Sequence, residues 1–184
     1  MNPVATLESL LDRPETLAAP EKPEGLGRTG LLGYAAGTAG VFMFLRMNGA
    51  VPPGLLSFLT VLTFVLSANY LFAAAIHLFM DLTGAPAPAA GAARLFLAFG
   101  CTDYLMAMLL PFGFLDGVRL LHWLPGLLIC VISLLYARVR VIRRLYPVSN
   151  NKSVLSLLLP FFAFGTLFFV GMLYGLIWLV WIVV

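Results

Sequence analysis

Few side chains in this sequence are equipped for chemistry, and Asp103 is the most conspicuous. It stands in "LFLAFGCTDYLMAMLLP", Leu95 to Pro111, a run otherwise apolar enough to cross a membrane. An ionisable group at the bilayer centre costs about 2.5–3.5 kcal/mol on the mild insertion scale. Such a carboxylate is either held by a partner or used to carry a proton or substrate. Phe96, Gly100, Asp103 and Ala107 share one helical stripe, and its small residues direct it toward protein rather than lipid. No Lys or Arg falls at that depth in any span. Asn69, near the centre of the preceding span, does. The reading is an Asp103–Asn69 hydrogen bond with Asp103 protonated, because desolvation favours the neutral acid. Thr102, Tyr104 and Ser133 are further candidate partners, and a proton or substrate site is the functional alternative.

The remaining candidates are weaker. His77 and Asp81 lie four apart in "HLFMD". They are too few for a metal site, and the expectation is interfacial hydrogen bonding. His122, Asp116 and Arg119 read as a solvated cluster near the opposite boundary. Cys101 and Cys130 sit in separate apolar stretches, where free cysteine packs as a small hydrophobe. The segment "YARVRVIRRLYP" has four arginines and no acid. Leu135, Val139, Ile142 and Tyr146 fall on one helical face, with Arg140 and Arg144 opposite and Arg143 on the flank. Each cation near an anionic leaflet contributes about 1 kcal/mol. Arg138, Arg140, Arg143, Arg144 and Lys152 thus form a basic segment suited to topology anchoring, or to an anionic lipid headgroup or acidic partner. The sequence has no nucleophile motif, phosphate-cradling loop or cofactor box. No enzyme activity, metal or cofactor is expected.

These residues must be positioned by membrane helices. Of the 184 residues, 61% are apolar and 10% charged, and the mean hydropathy is +1.00. A soluble domain is nearer half apolar and a quarter charged. A hydrocarbon core of about 30 Å needs about 20 helical residues. Five segments qualify, at about 31–45, 55–79, 92–115, 120–137 with a helical extension to 146, and 154–184. "RMNGAVPPG", "DLTGAPAPAAGAA", "LDGVR" and "YPVSNNKS" separate them, with Ser153 as candidate cap of the last helix. The fold class is therefore an all-α integral membrane protein, a five-helix bundle, since the segments are too long and unalternating for barrel strands.

Charge sets the orientation. With the N-terminus cytoplasmic, nine cations lie inside (Arg13, Lys22, Arg28, Arg94, Arg138, Arg140, Arg143, Arg144, Lys152) and two outside (Arg46, Arg119). The C-terminus is then outside. The start of the chain lacks the basic-then-apolar order of a secretory signal. Residues 2–13 read as a short amphipathic helix, with Val4, Leu7, Leu10 and Leu11 on one face, and 14–29 as a Pro/Gly linker. Residues 1–29 thus form a cytoplasmic segment ahead of a membrane domain at 30–184. Gly33-x-x-x-Gly37, Ala36-x-x-x-Gly40 and Gly171-x-x-x-Gly175 let helices approach closely. The contacts could lie within the bundle or between copies.

The stretch "NYLFAAAIHLFMDLTGAPAPAAGAARLFLAFGCTDYLMAMLLP" resembles the centre of the Yip-domain family, the Ypt/Rab-interacting membrane proteins, in its bacterial branch. The shared features are a span ending in His77-Leu78, then Leu82-x-Gly84, a short polar loop and a span ending at Pro111. Thr83-Gly84 stands where the family often has paired glycines. The Asp-Leu-Tyr-Gly-Pro type motif and long cytosolic domain of eukaryotic members are absent, so the resemblance does not extend Rab binding to this chain. It implies a role in membrane organisation or trafficking and carries over no catalytic residue. The resulting expectation is a non-enzymatic polytopic protein of a bacterial inner membrane, acting through anionic lipid headgroups, a protein partner or a homo-oligomer. No nucleic-acid partner is expected. The alternatives are a small transporter or channel using Asp103, and a structural subunit of a larger membrane complex.

Overall fold

The computed structural model describes residues 23–47, 49–85, 87, 90–114 and 120–183, and over these the chain is helical with no strand. The order is α1 (Leu26–Met47), α2 (Leu55–Leu82), α3 (Ala92–Asp103) continued by a 3₁₀ helix (Tyr104–Phe114), α4 (Leu120–Leu145) and α5 (Asn150–Val183). Five of these helical stretches are long and apolar enough to cross a membrane. The expected amphipathic segment at 2–13 lies outside the described residues, as does most of the expected linker. The end of that linker is already helix, because α1 begins at Leu26.

The helix ends follow local chemistry. Gly54 (φ 130°) turns the chain into α2 after Pro52 and Pro53, and Gly84 (φ 67°) turns it out. The Ala85 N–H reaches back to the Met80 carbonyl at 2.9 Å, a wide closing bond that requires the left-handed residue Gly84 supplies. α5 starts earlier than expected, and Ser149, not Ser153, caps it. The Ser149 hydroxyl accepts from the Lys152 N–H at 3.3 Å. Ser153 is buried inside the first turn and donates to the Ser149 carbonyl.

The closest packing joins α1 to the third span. A Cβ added at Gly30, Gly33, Gly37 or Gly40 would collide with the carbonyl oxygens of Leu97, Gly100, Asp103 and Met106 respectively. Bare backbone therefore faces bare backbone, the geometry in which Cα–H donors meet carbonyls. Tyr34 leaves this stripe to stack on Phe96, with ring centroids 4.7 Å apart, and its hydroxyl donates to the Phe96 carbonyl at 2.8 Å. Gly33, Gly37 and Gly40 thus make their contacts within the bundle. A Cβ at Gly171 or Gly175 would meet nothing within 4 Å among the described residues.

The core gathers Tyr34, Ile76, Met80, Leu95, Phe99, Ile142, Leu145 and Tyr146, with Leu135 and Val139 packed against it. The apolar face read from the α4 sequence points inward, while Arg140, Arg143 and Arg144 are exposed. α5 behaves differently. Its root, Ser153, Ser156 and Leu157, is buried, and Phe161 and Phe164 touch Phe72 of α2. From 161 to 182 every residue is exposed.

Candidate functional site

The carboxylate of Asp103 is answered by a cation rather than by an amide. Arg138 Nη2 donates to Asp103 Oδ1 at 2.7 Å and to Asn69 Oδ1 at 2.7 Å. Asn69 donates in turn to the Val65 carbonyl of its own helix. Asp103 and Asn69 therefore meet through Arg138, which corrects the expected direct bond. Arg138 supplies the cation that the sequence reading does not place at this depth. The fourth span is bounded at Ala137 in the sequence, with the helix continuing to 146, and the helix does run on to Leu145. What the span boundary hid is that the long Arg138 side chain, one residue beyond it, reaches inward. Thr102, another candidate partner, bonds the Phe99 carbonyl instead.

Each member of this triad comes from a different helix. α2 brings Asn69, the last turn of α3 brings Asp103, and α4 brings Arg138. Asp103 is 5% exposed and Arg138 8%. The guanidinium also lies over the Phe99 ring, 4.9 Å from its centroid, where the π face attracts a cation. Arg138 Nε is buried and without a hydrogen-bond partner among the described residues. One nitrogen thus carries both side-chain bonds, and the pair is end-on rather than bidentate. The stripe inferred for the third span does face protein. Phe96 stacks on Tyr34, Gly100 abuts the Gly30 carbonyl, and the Ala107 backbone approaches Gly40.

A second polar cluster joins the end of α2 to the α4–α5 elbow. His77 Nδ1 lies 2.6 Å from the Tyr146 hydroxyl, and His77 Nε2 lies 3.5 Å from Asp81 Oδ2. Lys152 Nζ donates to the Thr83 carbonyl at 3.0 Å. Burial pushes the Tyr146 hydroxyl above its ordinary pKa, and the Asp81 charge adds to this. Sequence spacing alone paired His77 with Asp81 and missed Tyr146, which is distant in sequence. The signal available was that Tyr146 sits on the apolar face of α4 with its hydroxyl in need of a partner.

The basic segment divides by direction. Arg138 turns into the bundle, whereas Arg140, Arg143 and Arg144 stay outside, with Arg140 over the Tyr136 ring at 5.8 Å. No group of three metal-ligating side chains occurs among the described residues. Asp116 and Arg119, and the side chain of His122, lie outside the described residues. Comparisons with protein-family models, with curated proteins and with solved structures returned no match.

Proposed function

We propose that this chain is a non-enzymatic five-span membrane protein that works by engaging partners in the bilayer, in a membrane-organising role. The observation that carries this reading is α5. It has 34 residues, about 51 Å of helix at ~1.5 Å per residue. The bundle buries its root and touches it again only at Phe161 and Phe164 among the described ring contacts, and the residues from 161 to 182 are exposed. Bundle helices normally associate through packing of small and apolar faces, and α5 offers such faces beyond its own bundle. The exposed Arg140, Arg143 and Arg144 near its root suit anionic headgroups. The resemblance to the bacterial Yip-domain branch supports the same role, and the nine-to-two charge split supports a cytoplasmic N-terminus in an inner membrane. Purification in a lipid-retaining medium followed by mass spectrometry tests the proposal. A protein held in fixed proportion, with anionic lipid enriched over the bulk, is expected. The chain alone with unselected lipid would contradict it.

A transport role is the second reading, and the buried Asp103–Arg138 pair favours it, since intramembrane ionisable groups often mark ion or proton paths. It predicts proton flux in reconstituted vesicles that Asp103→Asn abolishes while the protein still folds.

A further inference from the structure

The third span changes its winding at Asp103. Up to that residue it is α-helix, and from Tyr104 to Phe114 it is a 3₁₀ helix of 11 residues. Runs of 3₁₀ longer than three or four residues are uncommon, because their hydrogen bonds are poorer and their side chains eclipse. Pro111, inside the segment, removes one α-helical bond at its own position, but the tighter winding starts seven residues earlier at Tyr104, where contacts from other helices meet it. Two contacts meet at the junction. The Asp103 carboxylate is held by Arg138 of α4, and the Asp103 carbonyl faces Gly37 of α1. One residue is thus gripped from both sides at the point where the winding changes.

The α1 interface spans both windings, with the Leu97, Gly100 and Asp103 carbonyls presented from α-helix and the Met106 carbonyl from the 3₁₀ segment. A 3₁₀ helix turns 120° per residue and an α-helix about 100°. Residues 103 and 106 therefore align in the 3₁₀ form, which sets their carbonyls against Gly37 and Gly40. Rewound as α-helix, Met106 would rotate away from Gly40 by about 60°. The positions on α1 that meet these carbonyls, Gly37 and Gly40, carry no side chain, with Tyr34, Thr38 and Phe42 buried beside them.

We propose that the Asp103–Arg138 pair is a latch that holds the third span in a long, 3₁₀-wound state, and that releasing the pair lets the segment rewind toward α-helix and shorten. The rise falls from about 2.0 to about 1.5 Å per residue, so the 11-residue segment would shorten by about 5 Å. The far end of the span would then slide along the glycine stripe of α1. Buried, packed elements of this kind hold discrete alternative states rather than deforming gradually.

The test uses spin labels at Ala93→Cys and Met108→Cys, both exposed positions, in a Cys101→Ser, Cys130→Ala background in lipid nanodiscs. Pulsed electron spin resonance reads their separation. The wild-type pairing gives a Cα separation of about 25 Å along the axis, against about 22 Å if the whole span were α-helix. Asp103→Asn removes the charge and keeps the shape. The double variant Asp103→Leu, Arg138→Met removes both charges and leaves neither unpaired. A decrease of about 2.5 Å in each variant that folds is expected. An unchanged separation in either folded variant would overturn the latch, and so would a wild-type separation already at the shorter value.

Discussion

At the residue scale, the Asp103–Arg138–Asn69 triad decides how substitutions behave. A buried ion pair is weak evidence of net stabilisation, but removing one partner leaves an uncompensated charge and costs roughly 3–5 kcal/mol. Asp103→Leu strands Arg138, and Arg138→Met strands Asp103, so each is expected to lower unfolding stability in mixed micelles by about that amount. The double variant is expected to recover most of the loss. A double variant as unstable as the sum of the singles would mean that the two residues do not act as a pair. The Tyr146 hydroxyl makes a smaller contribution, about 1 kcal/mol for its bond to His77, lost in Tyr146→Phe. Because burial and Asp81 raise its pKa, the folded protein holds the phenolic proton more tightly than the unfolded chain. This contribution is intact below the unfolded value of about 10 and is lost as pH rises above it. Base titration followed by thermal unfolding should show that decline in the wild type and a weaker one in Tyr146→Phe.

At the scale of elements, the glycines separate into two classes that the sequence does not distinguish. Gly33, Gly37 and Gly40 each abut a carbonyl of the third span, so Gly37→Leu forces α1 away. Overpacking of this kind costs about 1–3 kcal/mol. Gly171→Leu meets open space and is expected to leave the melting temperature of the isolated protein unchanged within error. Equal losses at both sites would contradict the packing described for α1. The existence of the five long helices was legible from hydropathy, and the inward face of α4 was legible from the spacing of Leu135, Val139, Ile142 and Tyr146. The pairing of Arg138 was not. The continuation of the helix past Ala137 was legible, but hydropathy counts an arginine as the edge of the apolar span, whereas this side chain bends inward to a carboxylate on another helix. The 3₁₀ winding was only partly legible, since Pro111 interrupts α-helical bonding within the segment while the apolar residues before it suit either helix.

At the scale of the whole molecule, α5 presents a continuous exposed stretch from 161 to 182, longer than any on the other described helices. Reporter fusions at residues 25 and 150 should read cytoplasmic and a fusion at the C-terminus outside, as the nine-to-two charge split requires. A cytoplasmic C-terminus would contradict both the orientation and the number of crossings. The central claim is that α5 is the surface on which a protein partner docks. It is tested most directly by photocrosslinking in intact membranes from Phe168 and Tyr174, which are 74% and 70% exposed, with Leu78 of α2, 60% exposed, as the comparison. A discrete protein adduct from the two α5 positions, absent from Leu78, is the predicted result. Lipid adducts alone at all three positions would contradict the claim.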